Sequence, residues 1–283
     1  YRVMLQLRTM PETILNWGSD ASPIDDWLIA RLKQRVAEFS EAMDSYDLRR
    51  AVEISHYELI KDVNWYSRRG GNNAAVGRLV LESWTYLISV STPHLAEEWG
   101  RCLSLEEMVS ASEMSGVEPV SKDEEYILDY EFIMRAVLEN SRKIKSIAEK
   151  HLDGQAQKLT LIVSPEWKNL LSRAAINYLD DGGNVKQFIQ ELKQMDFVND
   201  ENMGQVLSYW NKKMLSQVFK WDDKSKSLIL DNIDEAEVLI ERASFIAKEL
   251  DLSEIEVIRA EDYQGEDGRE NSSLPLSPSI IFA

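Results

Sequence analysis

The chain has 283 residues, with 32 Lys and Arg against 49 Asp and Glu, a formal net charge of −17 and a single cysteine, Cys102. That length suffices for one large or two ordinary domains with cores of their own, and a lone cysteine excludes an internal disulfide or a CxxC zinc site and points to a reducing compartment. A mean hydropathy of −0.34, no apolar run near the roughly 18 residues of a membrane helix and an N-terminus without signal-peptide order exclude membrane insertion and export.

From Ile24 to His151 the pattern is helical. Trp27 or Leu28, Leu32, Val36, Phe39 and Met43 recur at steps of three or four, which predicts one helix with a single apolar stripe and Asp25 or Asp26 in its first turn. A second helix is predicted from an Asp47 cap through Leu48, Val52, Leu59, Val63 and Tyr66 to the breakers Gly70-Gly71. A third spans about Asn73 to Val90, with Val76, Leu79, Val80, Leu87 and Val90 inward, and Thr92-Pro93 opens a short helix from His94 to Trp99. Ser104 to Ser121 reads as a connection with at most one short helix. Ile127, Tyr130, Met134, Val137, Ser141, Ile144 and Ala148 then alternate steps of three and four, the mark of a long helix with a continuous seam.

After a turn at Asp153-Gly154 the character changes. Lys158 to Val163 reads as a β-strand and Ser164-Pro165-Glu166-Trp167 as the start of a helix. Helices are expected at Trp167 to Leu179, Val185 to Met195 and Glu201 to Phe219. Another runs from an Asn232 or Asp234 cap to Leu250, with Ala236, Leu239, Ile240, Ala243, Ile246, Ala247 and Leu250 inward. Ile255 to Ile258 alternates as a strand, Glu261 to Ser273 is a polar loop, and Ile280 to Phe282 is a closing strand. The expected fold is mainly α: an antiparallel helical bundle in residues 1–150, followed by a small α/β domain in residues 151–283.

Little here points to catalysis. His56, His94 and His151 fall in three different helices or helix ends; His94 shares a turn with Glu97 and Glu98, but no second such pair completes a metal site. No GxSxG, GxGxxG or GxxxxGK[ST] occurs. Lys224-Ser225-Lys226-Ser227 is similar to an ATP-side signature loop of class I aminoacyl-tRNA synthetases, yet its flanks favour an exposed turn at a strand start. Neither half of the chain is basic, which argues against broad phosphate binding. Arg49-Arg50, Trp65-Tyr66, Arg68-Arg69 and Arg78 nevertheless bracket one helix and the turn behind it, and arginine interleaved with aromatics suits RNA backbone and base contacts. The same residues suit a solvated face with helix-end cations favoured by the macrodipole, so both readings stand; the dipole alone accounts for Arg142, Lys143, Lys145 and Lys150.

Four segments in order carry a resemblance: Ile24-Asp-Asp-Trp-Leu-Ile-Ala-Arg-Leu32, Asp47-Leu-Arg-Arg-Ala-Val52, Lys61-Asp-Val-Asn-Trp-Tyr-Ser-Arg-Arg69 and Thr92-Pro-His-Leu-Ala-Glu-Glu-Trp99. Together they resemble the anticodon-binding helical bundle of class Ia aminoacyl-tRNA synthetases, whose P-H-[IL]-A-E-E-L-W signature is similar to the last. Asn64 to Arg69 and Val163 to Lys168 are similar to leucyl enzymes of archaeal and eukaryotic-cytosolic type. The likeness runs from about Ile24 to the end and is weakest between 180 and 230.

The resemblance implies a tRNA-binding C-terminal fragment of a cytoplasmic leucine-tRNA ligase, and the missing initiator Met also suggests a piece of a longer chain. Its partners would be leucine tRNA, with its long variable arm, and the parent's catalytic and editing domains, with no membrane involved. ATP and Mg would serve the parent enzyme; the family's HIGH and KMSKS motifs do not occur here, so the fragment is expected to hold no cofactor, no metal and no catalytic residue, and to be inactive alone. The RNA-side candidates are Trp65, Arg68 and Arg69, with Arg78 from the same basic stripe, and Ile280, Ile281 and Phe282 in the arm-reading domain. Archaeal relatives often end in an acidic residue where this chain has Ala283. The alternatives are the equivalent fragment of an isoleucyl, valyl or methionyl enzyme, against which the strand-Pro-Glu-Trp-Lys element argues, and an acidic helical protein-interaction module.

Overall fold

Leu7, Met10, Pro11 and Ile14 form the buried side of a helix that the sequence pattern missed, α1 (Arg2–Leu15). It belongs to a computed structural model that describes residues 2–114, 116–150, 155–200, 202–265 and 268–283; His151 and the Asp153-Gly154 turn lie outside them. Contacts divide the chain into two compact units, Tyr1–Glu131 and Phe132–Ala283.

In the first unit α1 is followed by β1 (Ser19–Asp20) and α2 (Ile24–Asp44). Then α3 (Leu48–Glu53), a π-helical turn (Ile54–Glu58) and α4 (Leu59–Arg68) run on without a break. Next come β2 (Asn72–Asn73), antiparallel to β1, then α5 (Ala74–Ser89), α6 (Pro93–Cys102), a 3-10 turn (Val109–Ala111) and the start of α7 (Lys122–Ala148). Asp47 caps α3 as predicted, accepting from the Arg50 amide at 3.0 Å, and at the predicted start of α5 Asn73 accepts from the Ala75 amide at 3.0 Å. Thr92 instead donates its hydroxyl to the Ile88 carbonyl, and Pro93 alone opens α6.

The core is set by α2 and α5. Trp27, Leu28, Leu32, Val36 and Phe39 of α2 are buried as expected, as are Val76, Val80 and Leu87 of α5, and Trp84 of α5 is fully buried beside them. Trp84 meets Trp99 of α6 edge to face at 5.2 Å, a pairing that contributes about 0.5–1.5 kcal/mol beyond its buried area. Leu79 and Val90, expected inward, are 44% and 52% exposed. They lie on the far side of the stripe centred on Trp84, and counting steps of three and four does not show which edge of a helix the neighbours cover.

Two buried polar clusters fix helix against helix. Asp25 accepts from the Tyr66 hydroxyl at 2.6 Å and the Asn73 side-chain amide at 2.7 Å, and so ties the start of α2 to the end of α4 and the start of α5. Burial first, then this bond to Asp25, pushes the Tyr66 phenol up. Arg35 holds Asp62 at 2.9 Å and Glu38 at 2.8 Å and also touches Glu58, while Arg31 reaches Asp62 and Arg50 reaches both Glu38 and Glu58. Burial opposes the Arg35 charge, but Asp62, Glu38 and Glu58 outweigh it and leave its pKa raised. Removing one partner of so buried a network costs about 3–5 kcal/mol.

The second unit is built on β3 (Lys158–Val163), whose Leu159, Leu161 and Ile162 are fully buried. Five helices follow: α8 (Glu166–Asp180), α9 (Val185–Leu192), α10 (Met203–Tyr209), α11 (Leu215–Val218), joined to α10 by a π turn at Trp210–Met214, and α12 (Asp223–Leu230). Then come α13 (Glu235–Glu249), β4 (Glu254–Arg259), a 3-10 turn (Arg269–Ser272) and β5 (Ser279–Phe282). The sheet order is β4-β3-β5, with β4 parallel and β5 antiparallel to β3. A second core gathers Leu171, Ile176, Phe188, Trp210 and Met214.

Two expectations are corrected in this unit. Lys224-Ser225-Lys226-Ser227 is not a turn at a strand start; it lies in α12, which Asp222 caps by accepting from the Ser225 amide at 2.8 Å while Leu228 and Ile229 turn inward. Ile240 is 59% exposed and Val238 is buried in its place, because the stripe of α13 is centred on Leu239 and Ile246.

Candidate nucleic-acid interface

The final turn of α4 brings Trp65, Arg68 and Arg69 together. Trp65 is only 8% exposed, and its indole N–H donates to Glu131 of α7 at 2.7 Å. The same carboxylate, itself buried, accepts from Arg69 Nε at 2.8 Å. Arg68 is exposed, with its guanidinium 5.8 Å from the Trp65 ring centroid, a cation–π distance. Glu131 is thus the organiser of the cluster: it accepts from both Arg69 and the Trp65 indole, and the exposed Arg68 stacks near the same indole. Sequence reasoning missed Glu131, whose only local signal is an acidic residue beside the apolar seam of a long helix.

The other basic candidates are engaged elsewhere. Arg78 pairs with Glu82 at 2.8 Å on its own helix and donates to the Leu103 carbonyl at 2.7 Å, so the structure does not place it in the α4 cluster. Arg50 belongs to the Arg35 network, and the exposed Arg49 pairs with Glu53 four residues on.

In the second unit Ile280 is buried opposite Leu161, while Ile281 and Phe282 are half-buried on β5 at the edge of the sheet. Ala283 continues the pairing, its carbonyl accepting from the Gln157 and Lys158 amides.

Two of the residues weighed for metal chemistry, Glu97 and His56, have structural duties. Glu97 accepts from the Ser110 amide at 3.0 Å and the Ser110 hydroxyl at 2.8 Å, bonds that hold its carboxyl below the usual range and fasten the 3-10 turn to α6. His56 is buried in the π turn between the hydroxyls of Ser55 and Ser91, and burial lowers its pKa. Among the described residues no group of three or more His, Cys, Asp or Glu is placed to hold a metal ion, and no helix is long and apolar enough to cross a membrane.

Residues 25–159 match the family described as the anticodon-binding domain of tRNA ligase. Over 99% of its length the chain is 29% identical to the leucine–tRNA ligase of Methanocaldococcus jannaschii, covering 27% of that protein. It is 27% identical over 96% of its length to that of Archaeoglobus fulgidus and 30% identical over 93% to that of Methanococcus vannielii, covering 26% and 25% of them. The chain therefore spans about a quarter of the relatives it matches. Residues 25–159 are thus similar to the anticodon-binding domain of the tRNA ligases, and the chain along its length is similar to about a quarter of archaeal leucine–tRNA ligases.

Proposed function

We propose that this chain docks leucine tRNA for a leucylation reaction whose ATP- and Mg-dependent chemistry belongs to a separate catalytic region, and that on its own it does not aminoacylate. The observation that carries the reading is similarity to leucine–tRNA ligases along 93–99% of the chain. The geometry adds a contact: Arg68, exposed and backed by Trp65, is shaped to meet a phosphate of the tRNA body, whereas Trp65 and Arg69 position it. In this reading residues 1–150 support the tRNA body. Residues 151–283 reach the long variable arm, with Ile281 and Phe282 as the arm-side contacts and Ile280 as their anchor in the core.

The test is fluorescence anisotropy of labelled leucine tRNA against residues 1–283 at low salt. Arg68→Glu is expected to weaken binding to long-armed and short-armed tRNAs alike, by about tenfold. Ile281→Ala with Phe282→Ala is expected to reduce mainly the preference for the long arm. No tRNA binding at low salt, or an Arg68→Glu chain that binds as wild type does, overturns the reading.

A further inference from the structure

The second unit carries a cleft of about 220 Å³ lined by three lysines and two aromatics, in a chain whose net charge is −17. Trp167 and Tyr209 meet edge to face at 5.2 Å and 79°. Between them lies the Lys168 ammonium, 5.8 Å from the Trp167 ring and 5.0 Å from that of Tyr209, held by the Ser273 carbonyl at 2.8 Å and the Asn271 carbonyl at 3.2 Å. Lys168 is 2% exposed, so its amine is fixed in place beneath an aromatic floor.

The rim is basic as well. Lys212 and Lys213 project from the π turn at Trp210–Met214, and neither has an acidic partner among the described residues. Lys213 is steadied by the Asn271 carbonyl at 3.0 Å. The Tyr209 hydroxyl is buried without a hydrogen-bond partner among the described residues, an unsatisfied group in the wall itself. Burial pushes that phenol up, so it stays protonated.

We propose that this cleft binds one unstacked nucleotide of an RNA loop, its base against the Trp167–Tyr209 pair and its phosphates on Lys212 and Lys213. The dimensions favour a single ring over a whole cofactor, since cofactor and drug pockets run to roughly 300–1,000 Å³. An aromatic face flanked by lysines accepts any base and tracks the backbone electrostatically. The π turn contributes by bringing adjacent lysines to the same rim, and such turns concentrate at functional sites. The proposal rests on the tRNA-docking reading only for the source of the RNA.

The test uses the full chain and a fluorescein-labelled single-stranded RNA octamer of mixed sequence, with a blunt duplex of the same sequence as comparison. Wild type is expected to prefer the single strand. Lys212→Glu with Lys213→Glu, both exposed, is expected to weaken octamer binding at least tenfold and to flatten its salt dependence by about 0.7 in slope for each phosphate no longer neutralised. Trp167→Ala is expected to lose about tenfold on the octamer and little on the duplex, with Trp167→Phe restoring most of it. Unchanged octamer affinity in the double lysine variant overturns the proposal, as does displacement of the octamer by a phosphopeptide at lower concentration than by competing RNA. If Arg68→Glu loosens leucine tRNA while the cleft variants bind the octamer as wild type does, the cleft assignment fails and the docking reading stands. If the octamer responds to the cleft variants but leucine tRNA does not bind, the docking reading fails and the cleft stands.

Discussion

Glu235 opens α13 with its side chain buried, one oxygen accepting from the Leu276 amide at 3.1 Å and the other without a partner among the described residues. Burial first, and then the neighbouring Asp234 charge, pushes its pKa up to about 8 against the pull of the Leu276 amide. A carboxyl whose folded-state pKa exceeds its unfolded value stabilises the fold fully below the unfolded value, and the contribution fades as pH rises through the folded one. Between pH 5 and 8 the wild type is therefore expected to lose up to about 1.4 kcal/mol of stability per pH unit from this group, and Glu235→Gln to remove that slope. Urea midpoints for both chains at three pH values check it; parallel slopes would refute it. His56 works the other way: its lowered pKa costs stability as pH falls through its unfolded value, so the two groups contribute pH dependence of opposite sign. Neither group was legible as a titration site in the sequence. Trp65, Arg68 and Arg69 stand out in the sequence as an arginine and aromatic cluster, because they adjoin one another, whereas the residue that arranges them lies in another helix, Glu131.

At the scale of elements, α1 depends on a glycine. A Cβ placed on Gly77 would lie 2.4 Å from the Ile14 methyl and 2.7 Å from the Trp17 ring, so α5 admits α1 only because that position has no side chain. Gly77→Ala is expected to destabilise the first unit by about 1–3 kcal/mol, although alanine is the better helix former; a thermal midpoint at or above wild type would contradict this. The long regular stripes of α2 and α7, the strand β3 and the caps at Asp47 and Asp234 are all legible in the amino-acid order alone, since each is encoded within a few residues. Helix α1 is not, because Pro11 interrupts the apparent period although the ring packs inward with Leu7 and Ile14. Helix α12 is hidden by a polar lysine and serine run that only its aspartate cap turns into a helix start.

For the whole molecule the charge of −17 limits how RNA can be held. Arg31, Arg35, Arg50, Arg69 and Arg78 all pair with carboxylates. With the exposed Arg68, Lys212 and Lys213 taken as the phosphate contacts of the two proposals, the slope of log affinity for tRNA against log salt is expected near −2 to −3, from about 0.7–0.9 per contact. Binding measured between 50 and 200 mM salt, roughly the range over which such slopes are read, decides it; a slope near −10 would mean a far larger basic footprint. Composition showed only that the body repels phosphate, because pairing between distant residues decides which cations face outward.

Each unit carries a π turn, at Ile54–Glu58 and Trp210–Met214. Such a turn holds one residue more than the α-helical ladder needs, so it sets the phase of everything after it. Excising a single residue from Ile54–Glu58 would leave a regular helix, yet rotate α4 by about 100°. Tyr66 would swing away from Asp25 and Trp65 from Glu131. The reading frame of that helix, more than the identity of any one side chain, is what keeps Arg68 pointing outward.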